Sequence, residues 1–114
     1  MKWLLIITGA AALLHWSCGP KIKTERYSDG QPKIRYQYYI DPANEFIKHG
    51  PYTKYYANGE PKEKGNYKEN LQDGDIESYF EDGTKKSHEF YRAGKLHGPF
   101  TDYFSNGAKR TQGN

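Results

Sequence analysis

The sequence predicts an all-β fold: an elongated antiparallel sheet of tandem β-hairpins, preceded by an N-terminal signal helix. Three observations carry this. First, HGPYTKYYANG (His49–Gly59), DGDIESYFEDG (Asp73–Gly83) and HGPFTDYFSNG (His97–Gly107) are copies in register. Gly50, Gly74 and Gly98 stand 24 residues apart, as do Gly59, Gly83 and Gly107. Second, each copy ends in Asn-Gly or Asp-Gly, the strongest short hairpin signal. Third, all eleven Tyr and five Phe lie after Arg26. A chain poor in Leu, Ile and Val can bury area through such rings, each removing about 150–250 Å² from water.

Met1–Cys18 is a different kind of sequence. One Lys is followed by an apolar run from Trp3 to Leu14, then SCG. The run is short of the ~20 residues of a spanning helix and fits a secretory signal peptide over residues 1–17. The single Cys cannot form an internal disulfide. Ser17-Cys18-Gly19 resembles a bacterial lipobox, with His15 and Trp16 departing from its usual aliphatic and small residues. That resemblance implies lipidation at Cys18 and anchoring in a membrane, which two acyl chains make stable. Residues 18–26 are then the lipidated Cys and a tether. Gly19–Arg26 would reach roughly 26–29 Å fully extended, with Lys21 and Lys23 as solvated linker residues.

The repeat domain is assigned to residues 27–114. It comprises a partial copy at 27–48 and copies at about 49–72, 73–96 and 97–114. Each unit reads as a hairpin. The first strands are PYTKYYA, DIESYFE and PFTDYFS, opened at Pro51 and Pro99 where a missing N–H does least harm. The turns fall at Gly30, Gly59, Gly83 and Gly107, where the tight primed hairpin turns need positive φ. The second strands are Glu60–Lys68 and Thr84–Arg92, with KIRYQY in the partial unit. A basic residue follows each turn Gly by three (Lys33, Lys62, Lys86, Arg110), and a Tyr follows three of them by eight (Tyr38, Tyr67, Tyr91). Further turns precede the next unit, ending at Gly50, Gly74 and Gly98. Five extra residues between Gly30 and Gly50 place a loop at DPANE. The last hairpin is expected to be incomplete.

Alternation puts Tyr52 with Tyr56, Ile76 with Phe80, and Phe100 with Phe104 on one face, as an internal spine. Tyr55, Tyr79 and Tyr103 point the other way. They form the candidate binding face, bordered by Lys, since Tyr is large, rigid and amphipathic. The competing reading packs each of them under neighbouring strands or long Lys stems.

These motifs resemble the MORN repeat (membrane occupation and recognition nexus), more specifically the bacterial variant in YwqK-family antitoxins. The resemblance covers Tyr27 to about Gly107. Gly65 and Gly94 depart from its second glycine, because they sit at unequal offsets. It implies a sheet of successive hairpins, and roles in membrane contact, scaffolding or protein binding.

The net charge is +3, and removing residues 1–17 takes away only Lys2, leaving +2. A dedicated nucleic-acid binder would carry a basic stripe instead. His49, Asp73 and His97 share one repeat position and are read as turn residues before a Gly, not as a converging metal set. The acidic residues alternate with lysines as a solvated surface. No nucleophile–base motif or phosphate-cradling loop is present. The expectation is therefore a non-enzymatic envelope lipoprotein, without cofactor or metal. It would bind an unknown protein partner near a bacterial membrane. The alternatives are a cytoplasmic antitoxin-like protein that neutralises a toxin by binding it, and cell-wall glycan binding through the Tyr face.

Overall fold

The computed structural model describes residues 19–114. The signal segment, its helix and Cys18 lie outside the described residues. Nine antiparallel strands form one open sheet. They are β1 (Lys21–Arg26), β2 (Pro32–Ile40), β3 (Phe46–Tyr55), β4 (Pro61–Lys68), β5 (Leu71–Gln72), β6 (Gly74–Tyr79), β7 (Lys85–Arg92), β8 (Lys95–Tyr103) and β9 (Lys109–Gly113). The spatial order is β1-β2-β3-β4-β6-β7-β8-β9, with β5 also paired to β4. Strands follow one another in space as they do in sequence, as hairpin repeats dictate.

Two boundaries differ from the sequence expectation. Lys21–Arg26, read as tether, is β1 and pairs with β2 from Lys21↔Tyr38 to Arg26↔Pro32. KIKTER carries no aromatic residue, so its apolar signal is weak. As an edge strand it is held by the backbone ladder rather than by burial, and its lysines suit an exposed edge. The partial copy therefore has its first strand, and the segment free to act as tether among the described residues shrinks to Gly19-Pro20. At the other end the last hairpin does close, with β9 pairing from Tyr103↔Lys109 to Phe100↔Gly113.

The four Asx-Gly turns share one geometry. At Tyr56–Glu60, the Gly59 N–H donates to Tyr56 O at 3.0 Å and the Tyr56 N–H to Glu60 O at 2.8 Å. The same pair of bonds recurs at Tyr27–Gln31, Phe80–Thr84 and Phe104–Ala108. Gly59 has φ +89°, whereas Asn58 is not in the left-handed region. These are three-residue loops with a bulge at the glycine, not the two-residue primed turn that the Asn-Gly dipeptide suggests. The Asn or Asp serves by its side chain. Asn58 Oδ1 accepts the Glu60 N–H at 2.9 Å, and Asp29, Asp82 and Asn106 do the same for Gln31, Thr84 and Ala108 at 3.0 Å each.

The two-residue turns stand at the opposite rim. Glu69-Asn70 (φ 50° and 71°) joins Lys68 to Leu71, and Ala93-Gly94 (φ 50° and 80°) joins Arg92 to Lys95. The DPANE insertion there lengthens the β2–β3 hairpin by the pairs Tyr39↔Ile47 and Ile40↔Phe46. Gly50 and Gly98, expected in turns, lie inside β3 and β8, and Gly74 opens β6. The register slips beside Gly50 and Gly98 as it does at a bulge. His49 and His97 are thus strand residues.

The best-buried part is a row across the sheet. Tyr36↔Tyr52↔Gly65 and Ile76↔Glu89↔Phe100↔Gly113 are successive cross-strand partners. Tyr36, Tyr52 and Ile76 are only 2–3% exposed. Because the sheet is a single layer, burial comes from side chains lying over the next strand. Gly65 makes this possible: a Cβ there would meet the Tyr52 ring at 3.0 Å and Ile76 at 3.1 Å. Gly113 receives the Phe100 ring in the same way: a Cβ there would lie 2.5 Å from the ring, closer than any side chain allows. Farther along the expected spine, Tyr56 and Phe80 are half-buried and Phe104 is exposed.

Candidate functional site

The row continues into a cluster of rings on the same face. Tyr52 and Tyr67 lie 4.4 Å apart between centroids. Tyr38 stacks on Phe46 at 4.3 Å, and Tyr36 meets Phe46 edge-on at 5.9 Å. Alternation along β2, β3 and β4 puts these side chains together, and the DPANE insertion delivers Phe46.

Lysines cover the rings. Lys23 Nζ stands 5.5 Å from the Phe46 centroid, Lys48 Nζ 5.1 Å from Tyr36 and 5.2 Å from Tyr67, and Lys54 Nζ 5.7 Å from Tyr52. Such contacts contribute about 0.5–1 kcal/mol each at exposed sites. Beneath them the hydroxyls are tied to acids. Tyr52 donates to Glu63 at 2.7 Å and accepts from Gln72 Nε2 at 2.8 Å. Lys54 closes the network on Glu63 at 3.1 Å. Tyr36 donates to Glu25 at 3.0 Å. Burial, then the Glu25 hydrogen bond, raise the Tyr36 hydroxyl to about 12. The same two causes, with Glu63 as partner, push Tyr52 further up. Both hydroxyls stay protonated donors at any physiological pH.

Tyr55, Tyr79 and Tyr103 stand on the opposite face from Tyr52, each half-buried. They do not assemble into an aromatic cluster. The Tyr55 and Tyr79 carbonyls accept the hydroxyls of Tyr27 and Tyr56, each at 2.7 Å. These bonds staple successive hairpins together. Lys64 Nζ lies 5.6 Å from the Tyr79 ring. On this face Asp75 pairs with His88 at 3.0 Å. At the rim, Tyr39 donates to Glu69 at 2.8 Å and packs edge-on against His49 at 5.7 Å.

The basic residue three after each turn glycine acquires a role. Lys33, Lys62 and Lys86 each lie over the ring three before the same glycine, Tyr27, Tyr56 and Phe80, at 5.6–5.9 Å. The aromatic-lysine face was missed from sequence, although its period was visible. Tyr38 and Tyr67 are two of the Tyr residues eight after a turn glycine. Among the described residues, no group of three or more His, Cys, Asp or Glu is placed to hold a metal ion.

Residues 48–69 and 72–95 match the family model of the MORN repeat variant. Over these two hairpins the chain is similar to MORN-variant repeats. The matches take in the bulge, the Asx-Gly loop and both strands of each unit. The same loop geometry recurs outside them, at Tyr27–Gln31 and Phe104–Ala108. No curated protein and no solved structure matches the chain.

Proposed function

We propose that this chain is a non-enzymatic binding protein of the bacterial cell envelope, lipid-anchored at Cys18, whose MORN-variant sheet presents a partner-binding surface. The observation that carries the binding reading is the aromatic-lysine face built on β1–β4, where Phe46 is exposed and Tyr38 and Tyr67 are half-buried around the buried Tyr36 and Tyr52. MORN repeats are generally binding modules, which supports the same reading. Rings held rigidly by their neighbours, with cations above them, bind at low entropic cost. The envelope reading rests on the leader, on SCG at residues 17–19, and on β1 starting three residues after Cys18. At that distance the sheet edge would stand within about 10 Å of the anchor.

Two measurements test these parts separately. The intact mass of the mature chain from membranes should begin at Cys18 with added acyl mass. A soluble chain that retains residues 1–17 would instead favour the cytoplasmic antitoxin-like reading. For binding, a photo-crosslinking residue at Phe46 should trap one discrete partner in cells, and one at Thr101 on the opposite face should not. Equal adducts from both positions would remove the assignment of the face. The Tyr55, Tyr79 and Tyr103 column remains the surface that a cell-wall glycan would use, and retention on purified cell wall tests it.

A further inference from the structure

We infer that the cleft between the first two Asx-Gly hairpins is a binding site for a small organic oxyanion, a carboxylate or phosphate carried on an apolar body. This site shares Lys54 with the aromatic-lysine face but is otherwise built from other residues, and it does not depend on anchoring at Cys18.

The cleft is lined by Tyr27, Lys33, Ile34, Lys54, Tyr55 and Lys62. Tyr27, Ile34 and Tyr55 supply an apolar wall, and three lysines border it. Lys54 is held by Glu63 at 3.1 Å. Lys33 and Lys62 have no acidic partner within 4.0 Å among the described residues. Their ammonium groups lie instead over the rings of Tyr27 and Tyr56, at 5.8 and 5.6 Å from the centroids.

The repeat supplies an internal comparison. The equivalent positions between the last two hairpins form a second cleft, lined by Phe80, Lys86, Ser87, Asp102, Tyr103 and Arg110. Each is the counterpart of a residue in the first cleft by its place around the turn glycine. The scaffold is the same and the charge is not. Asp102 replaces Lys54 and pairs with Arg110 at 3.5 Å, and Glu89 also borders this cleft. At the intervening position Glu63 stands between Lys62 and Lys86 in the repeat frame. Only the first of the three places puts an apolar residue, Ile34, and a third lysine, Lys54, where the others have Glu63 or Ser87 and Ser78 or Asp102. A shared scaffold given one cationic, part-apolar version points to an anionic ligand with an apolar portion.

The test is a titration of the full chain with benzoate, phenyl phosphate and inorganic phosphate, following assigned ring signals by NMR. Benzoate or phenyl phosphate should shift Tyr27 and Tyr55 saturably and leave Phe80 and Tyr103 in place. The tighter of the two identifies the oxyanion, and inorganic phosphate should bind more weakly than either. Lys33→Gln and Lys62→Gln should each weaken binding about two- to fivefold, the range of an exposed charge contact. Tyr27→Leu, which keeps the lysines, should weaken the organic anions more than phosphate. Equal shifts at both clefts, unchanged affinity in both lysine variants, or inorganic phosphate binding as well as phenyl phosphate would overturn the assignment.

Discussion

At one rim of the sheet, four loops repeat the same two backbone hydrogen bonds, the same side-chain acceptor and the same left-handed glycine. At the other rim, three turns share no common sequence. One is Asp41–Glu45, which makes the same two backbone hydrogen bonds with Asn44 (φ 64°) in the glycine's place, one is Glu69-Asn70 and one is Ala93-Gly94. The two rims do the same topological work, since both reverse the chain into an antiparallel neighbour. They differ in what else they must do. The regular rim also joins unit to unit, through Tyr27 and Tyr56 reaching the next hairpin's carbonyl. A periodic contact of that kind requires periodic geometry. The irregular rim is also tied from unit to unit, but by its own main chain: the Asn70 N–H donates to Lys48 O at 2.8 Å and the Gly94 N–H to Gln72 O at 2.9 Å. A main-chain bond is open to any residue, so this rim tolerates an insertion, and even non-glycine residues at positive φ.

Breaking a loop at the regular rim should cost most. Gly83 has φ +91°, and a Cβ there would touch nothing nearer than Glu60 Oε2 at 3.9 Å. The penalty for Gly83→Val is therefore conformational rather than steric crowding. A β-branched residue in this region should lose about 2–3 kcal/mol. For a domain this small that lowers the melting temperature by roughly 10–20 °C. An unchanged melting temperature would mean that the regular rim does not need its glycines. Asn58→Ala should cost less, about 1–2 kcal/mol, because it removes the acceptor for the Glu60 N–H and the exposed Nδ2 bond to Glu81 O at 3.2 Å but leaves the backbone unstrained. Chemical denaturation of the two variants side by side ranks the two contributions.

The same loops show what was legible in the sequence. Asn-Gly and Asp-Gly located the turns, because both loop lengths require a left-handed residue at the glycine. They did not reveal the loop length, since that depends on which residue closes the ladder. The internal row was half visible. Tyr52, Ile76 and Phe100 recur every 24 residues, but the floor they lie on does not. Gly65 and Gly113 share a position whose middle copy is Glu89, so no repeated glycine marked it. The strand β1 was read as tether because an edge strand of lysines is stabilised by backbone pairing, which leaves little trace in hydropathy. The aromatic-lysine face was missed because its rings come from three strands of two hairpin units, and one of them, Phe46, follows the insertion.

At the irregular rim the direction of effect reverses. Ala93 has φ 50°, a conformation that costs an L-residue with no compensating side-chain bond. Ala93→Asn creates Asn-Gly in a two-residue turn that wants it. It should stabilise the fold by about 0.5–1 kcal/mol, measured as a rise in melting temperature. Glu69 is not an equivalent target, because its carboxylate accepts the Tyr39 hydroxyl at 2.8 Å. Loss of stability in Ala93→Asn would show that the rim's irregularity is selected rather than tolerated.

The finest distinction lies within the regular rim, where Asn58 and Asp82 occupy the same place. Asp82 Oδ1 accepts the Thr84 hydroxyl at 2.6 Å and the Thr84 N–H at 3.0 Å. These two bonds, the hydroxyl first, hold its carboxyl below the ordinary aspartate value of 3.8. A depressed carboxylate contributes stability that is present above the unfolded pKa and is lost as pH falls through the folded one. The third hairpin's loop should therefore weaken in acid below about pH 4, while the Asn58 side chain, an amide at the same place, has no proton to gain and should hold its loop closed. Asp82→Asn keeps the acceptor and removes the charge, so amide exchange at Thr84 should lose its acid-dependent rise while exchange at Glu60 stays as it was. The effect is small because the carboxylate is exposed, and a local probe is needed to see it. If Thr84 exchange retains its acid limb in Asp82→Asn, the protonation that opens the third loop belongs to another group, Glu77 first. Glu77 lies on the strand leading into this loop, and its carboxyl is likewise held low by its hydrogen bond to Lys85.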